Sequence, residues 1–82
     1  MSKQPNQQLY SARCGQRFTI VKIEPLALKA LLGEMGIQAG KNLQVLHMAP
    51  WNGPMAIQCE GITISLRKED TIGVEVILYN PA

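Results

Sequence analysis

One stretch of this chain calls for a helix and dictates where it stops. Leu28, Leu31, Leu32 and Met35 fall at i, i+3, i+4 and i+7, which puts four large apolar side chains on one helical face. Pro25 suits the first helical position, where a missing N–H costs nothing. Gly36 suits the position just past the end, where a positive φ carries no penalty for a residue without a Cβ. Ile37 then supplies the hydrophobic contact that follows a glycine cap, and Gly40 with Lys41 and Asn42 turns the chain again before Leu43–Met48. The spacing predicts one short helix clipped tightly onto a strand, its apolar face covered by the rest of the protein.

The other periodic segments read as strands. Arg17–Ile23 has the β-branched and aromatic content of a first strand, with Phe18 and Ile20 inward. Asn42–Ala49 places Leu43 and Val45 on one face and Gln44 and Leu46 on the other, so Leu46 and Met48 are apolar where a one-faced strand wants polar residues. Pro50-Trp51-Asn52-Gly53-Pro54 is a loop signal. Met55–Glu60 and Ile62–Leu66 form a tight hairpin about Gly61, with Ile62, Ile64 and Leu66 on one face. Arg67–Thr71 is too short and polar for a helix of its own and reads as a single turn, after which Ile72–Tyr79 closes the chain with Val74, Val76 and Leu78 inward.

The resulting order is β-α-β-β-β-β, and a single helix cannot supply the crossovers that a parallel sheet needs. The expected fold is therefore mainly β: five short antiparallel strands in a small closed barrel, with one helix between the first and second strands as a plug. Residues 1–8 are a flexible polar tail and 9–82 one domain.

Composition narrows the function. With 82 residues, 46% hydrophobic and 17% charged, the chain makes one small folded domain. Its longest apolar run is four residues, as in Val76–Tyr79, far short of the roughly 20 of a membrane helix, and the N-terminus lacks the apolar stretch of a secretory signal. A cytoplasmic location is expected. Cys14 and Cys59 stand 45 positions apart without ligand spacing, and His47 is the only histidine, so free thiols and no metal site are expected. The first 23 residues carry +4 and the remainder −2; with only Tyr10 and Phe18 near the basic lead-in, this is a thin footprint for nucleic acid. No phosphate-cradling loop, nucleophile with a base or carboxylate pair is visible, so catalysis has no evident machinery and no cofactor is implied.

The string Glu34-Met35-Gly36-Ile37 followed by Gly40, the loop Ala49-Pro50 with Gly53-Pro54, and Leu66-Arg67 before an acidic residue resemble the FeoA family, over Leu9 to Val76. FeoA proteins are small cytosolic components of bacterial ferrous iron transport systems. The resemblance implies an SH3-like barrel without enzymatic activity, acting on the cytosolic GTP-binding domain of the ferrous iron membrane transporter. The same domain type resembles the C-terminal SH3-like module of iron-dependent repressors, but 82 residues leave no room for the helix-turn-helix that precedes that module. A nucleic-acid-binding small barrel is the other alternative, marked by steep salt dependence.

Trp51 has two readings: it folds back to cap the barrel, or it stays at the surface as an interface anchor on a constrained loop. In the second, Leu46, Met48 and Trp51 form one apolar patch for the transporter or for a second copy of this chain.

Overall fold

The computed structural model describes residues 5–79. Its elements are β1 (Gln7–Gln8), a single 3-10 turn (Leu9–Ser11), β2 (Arg17–Ile23), α1 (Leu26–Glu34), β3 (Asn42–Met48), β4 (Met55–Cys59), β5 (Ile62–Leu66), α2 (Lys68–Ile72) and β6 (Val74–Leu78). The strands form one antiparallel sheet in the order β1-β6-β2-β3-β4-β5. The mainly β architecture stands, with six strands rather than five. Gln7 and Gln8, expected in the polar tail, pair with Val76 and Glu75, which moves α1 to a place between the second and third strands. Of the rest of that tail, Asn6 donates from its side-chain amide to the Glu75 carboxylate at 2.7 Å, and residues 1–4 lie outside the described residues.

Two bulges bend the sheet. Ile20 faces Val76 and Lys22 faces Glu75, leaving Val21 over in β2; Val45 faces Ile57 and His47 faces Ala56, leaving Leu46 over in β3. An extra residue on one strand raises the local twist and turns the strand. The consequence is visible in the core: Phe18, Ile20, Val45, Ile57, Cys59, Leu66, Val74 and Val76, from β2 to β6, share one buried cluster with Leu9, Ala12, Leu28, Leu32 and Ile37. Strands from opposite ends of the sheet reach a common core only if the sheet curls around it. Among the described residues hydrogen bonding does not close the curl, and β1 and β5 are its edges.

α1 ends as the glycine predicts. Gly36 has φ 81°, its N–H donates to the Gly33 carbonyl at 3.0 Å, and the Ile37 N–H donates to the Leu32 carbonyl at 2.9 Å. Both bonds satisfy carbonyls that a helix end leaves open. Pro25 sits one residue earlier than expected, as the N-cap, in an extended conformation. The buried stripe is narrower than the spacing suggests: Leu28 and Leu32 are buried and Met35 packs against the core, but Leu31 is 57% exposed and Leu26 77%. Leu31 lies on the flank of the stripe, and a short helix resting on β2 covers only its centre.

α2 replaces the expected single turn, and its capping explains why a polar pentapeptide turns helical. The Asp70 carboxylate accepts from the Arg67 backbone N–H at 3.2 Å and from its Nε–H at 3.4 Å, and Glu69 and Asp70 occupy the first turn, where the helix dipole favours negative charge. The buried Thr71 hydroxyl donates to the Lys68 carbonyl at 2.6 Å. Ile72, expected to start the last strand, ends this helix and is exposed. Gly73 follows because a Cβ there would meet the Glu24 carbonyl well inside contact distance, while the Glu24 N–H donates to the Gly73 carbonyl at 2.8 Å.

Candidate partner-binding surface

β3 and β4 are joined by a hairpin whose tip is set by its two prolines. The Ala49 N–H donates to the Pro54 carbonyl at 3.0 Å, so the ladder runs one step further into the loop than the sequence suggests. Asn52-Gly53 is the favoured pair for the centre of a tight hairpin turn, but that placement would need an N–H on residue 54 to close it, and proline has none. The turn is shifted back by one residue instead. The Gly53 N–H donates to the Pro50 carbonyl at 3.1 Å, and the central residues are Trp51 (φ 61°) and Asn52 (φ 60°). Asparagine tolerates this left-handed region; for tryptophan it costs roughly 1–2 kcal/mol. Gly53 serves close approach rather than φ, since a Cβ there would lie 2.7 Å from the Ala49 Cβ.

Trp51 does not fold back: it is 94% exposed. The reading in which it caps the barrel is therefore corrected. The same strained turn that sets φ carries the indole away from the body of the domain.

The β3 bulge decides where the other two patch residues lie. Met48 pairs with the buried Met55 and so stands on the core side of the sheet at its rim, 37% exposed. Leu46 is the bulged residue, 40% exposed, and its carbonyl accepts from the Cys14 thiol at 3.1 Å. The turn holding Cys14 is tied to β3 by the Gly15 N–H to the Val45 carbonyl at 2.7 Å and the Val45 N–H to the Gln16 carbonyl at 2.9 Å. Leu46 thus borders the Cys14–Gln16 turn, while Met48 borders a groove.

That groove, about 330 Å³, is formed by Met48, Ala49, Asn52, Gly53 and Met55 from the hairpin, Tyr10 from the 3-10 turn, and Lys68 and Thr71 from α2. The Lys68 ammonium lies 5.3 Å from the centre of the Tyr10 ring, a cation–π contact that holds one positive charge beside apolar walls. Its chemistry suits an apolar side chain flanked by a hydrogen-bond acceptor or a carboxylate. Tyr10 and Lys68 are 58 positions apart, and no spacing in the sequence connects them.

The metal candidates are separated. Cys14 is exposed beside Leu46, Cys59 is buried in the core, and both are free thiols; among the described residues no three His, Cys, Asp or Glu side chains converge. Burial, and then the charge of Glu60, pushes the Cys59 thiol above its ordinary pKa, against a smaller opposing effect of Lys41. Among the described residues no helix is long and apolar enough to cross a membrane.

The model of the FeoA domain family matches residues 7–77. The chain belongs to the FeoA family. No curated protein matches it. Among solved structures it is similar to an iron uptake regulatory protein, FeoA, with 25% identity over 92% of this chain and 100% of that one, at a TM-score of 0.80. A Stenotrophomonas maltophilia FeoA, solved with zinc and described as a prokaryotic SH3 domain protein, matches at 19% identity over 85% of this chain and 88% of that one, TM-score 0.74. A manganese-dependent transcriptional repressor matches at 20% identity and TM-score 0.82; it covers 95% of this FeoA-family chain, which spans only 44% of the repressor's length. The SH3-like fold is thus shared by stand-alone FeoA proteins and by part of a repressor.

Proposed function

We propose that this FeoA-family protein is a cytoplasmic accessory module of bacterial ferrous iron transport that acts by binding rather than by catalysis. Its partner is the cytosolic GTP-binding domain of the membrane transporter, and its contact is the β3–β4 hairpin tip. The observation that carries the contact is Trp51: a large aromatic, 94% exposed, held in a conformation that works against folding. Strain of this kind persists at positions with a role in binding, and exposed aromatics are the usual anchors of protein interfaces. The family supports the system, since the S. maltophilia relative is put forward as an activating factor for ferrous iron transport. Met48 and the groove of Tyr10 and Lys68 lie next to the tip and extend the contact.

A nucleic-acid surface is disfavoured by Phe18, which is fully buried and offers no ring for stacking, and by Tyr10, whose ring carries Lys68. The deciding experiment is a pull-down of the transporter's cytosolic domain with and without guanine nucleotide. Capture by the intact protein and loss in Trp51→Ala supports the reading; undiminished capture by Trp51→Ala removes the hairpin tip, and no capture in either nucleotide state removes the partner.

A further inference from the structure

Among the described residues β5 is a short edge strand that nothing covers. It pairs with β4 on one side and ends the sheet on the other. Glu60 and Gly61, both at positive φ, make a two-residue turn, so the flanking pair Cys59 and Ile62 is hydrogen-bonded, and Ile57/Ile64 and Met55/Leu66 follow at every second position. The backbone N–H and C=O of Thr63 and Ser65 therefore point away from β4, and no turn or loop bond among the described residues takes them. Between Ile62 and Leu66 there is no proline, charge or bulge, the devices by which natural edges avoid pairing.

We propose that this edge pairs with β5 of a second copy, antiparallel and centred on Ile64. Three features favour that occupant. In this register Thr63 faces Ser65 of the second copy as a hydrogen-bonded pair, and the reciprocal pair is formed too, so all four outward groups on each strand find partners. The half-buried Ile62 and Ile64 gain cover, with Ile64 beside its own copy at the dyad. Glu60 precedes the strand and Arg67 and Lys68 follow it; Arg67 bridges to Asp70 within its own copy, which leaves Lys68 as the cation opposite Glu60 in this register. An antiparallel pairing brings each Glu60 to the basic end of the other copy, twice by symmetry, whereas a parallel pairing would set like charges side by side. A contact of one short strand is small, and the association is correspondingly weak. The inference rests on β5 and not on the hairpin tip; the two contacts share only Lys68, which borders the groove and follows β5.

Amide hydrogen exchange of the intact protein, compared between micromolar and millimolar concentration, tests it. Thr63 and Ser65 should exchange about tenfold more slowly in the concentrated sample once most molecules are paired, while Ile64, already bonded to β4, should not change. Ser65→Pro removes an outward N–H without touching the β4 ladder and should abolish the protection at Thr63 together with self-association in sedimentation; the exposed reversal Glu60→Lys should weaken both, and Trp51→Ala should leave both intact. If Ser65→Pro fails to fold, the exchange of the unaltered protein and Glu60→Lys decide. Equal exchange at the two concentrations overturns the proposal, as does self-association that survives Glu60→Lys undiminished or is lost in Trp51→Ala.

Discussion

The two hairpins of this protein meet the same backbone demand with different residues. Each tip needs two consecutive residues at positive φ: Glu60 and Gly61 between β4 and β5, Trp51 and Asn52 between β3 and β4. At the first, Gly61 takes the demand at no steric cost, with open space where a Cβ would stand. At the second, Pro54 displaces the turn from Asn52-Gly53 and forces tryptophan into the unfavourable region. Each tip thus holds one residue that the left-handed region does not favour, Glu60 at φ 54° and Trp51 at φ 61°, and the hairpins differ in the side chain displayed: a carboxylate on one, a fully exposed indole on the other.

Breaking the second hairpin's role has the largest expected effect. Trp51→Ala should weaken capture of the transporter's cytosolic domain by about thirtyfold, a loss of about 2 kcal/mol as for an interface anchor. Its melting temperature should stay within about two degrees of the parent, because a fully exposed side chain contributes little to the fold. A large drop in melting temperature with binding retained would reverse the contrast between the hairpins.

The first hairpin should show the opposite profile. Gly61→Val places a β-branched side chain at φ 79°, which should destabilise by roughly 1–2 kcal/mol, read from chemical denaturation, with transporter capture unchanged. Thr63→Val nearby, on an exposed strand position, should be nearly neutral. Equal stabilities for the two variants would show that the turn does not need its glycine.

Pro54→Ala sharpens the comparison directly. It restores the N–H that allows Asn52-Gly53 to take the turn centre, which should release Trp51 from positive φ and stabilise the protein by about 1 kcal/mol or less. The tryptophan's environment should change with it, visible as a shift in fluorescence emission or indole chemical shift. An unaltered indole signal would mean that proline is not what sets the turn.

The smallest effect is confined to the end of β4 beside the Glu60-Gly61 turn, where Cys59 lies buried. Folding raises the Cys59 pKa, so the folded state holds the thiol proton more tightly than the unfolded chain. The resulting stability is present below the unfolded thiol value of about 8.5 and declines as pH rises through that value toward the folded one. Thermal unfolding between neutral and alkaline pH should therefore show a downward slope that is reduced in Cys59→Ala. In the folded protein at neutral pH, iodoacetamide should label the exposed Cys14 and spare Cys59.

Much of the fold is legible in local pattern because local chemistry decides it. Gly36 can end a helix where other residues are strained, Ile62–Leu66 alternates with period two, and the motifs around Gly36 and Gly53 mark the FeoA family over residues 7–77. The added strand at Gln7–Gln8 was hidden because two glutamines have no periodicity, and only β6 beside them makes a ladder. α2 was hidden because its stability comes from the Asp70 cap and the burial of Thr71 rather than from an apolar stripe.

For the candidate site, sequence alone determined that a proline-bracketed loop carries a tryptophan and that Leu46 and Met48 are apolar out of turn. Tertiary structure decided what these mean. A bulge shifts strand register by one residue, which sends Met48 to the core-side rim and leaves Leu46 beside Cys14. The groove needs Tyr10 and Lys68 brought together by a curled sheet, and contacts between distant segments leave no trace in local spacing. The exposure of Trp51 rests on the same distinction: composition marks the loop, but only the hydrogen bond that Pro54 cannot donate determines which residue stands at its tip.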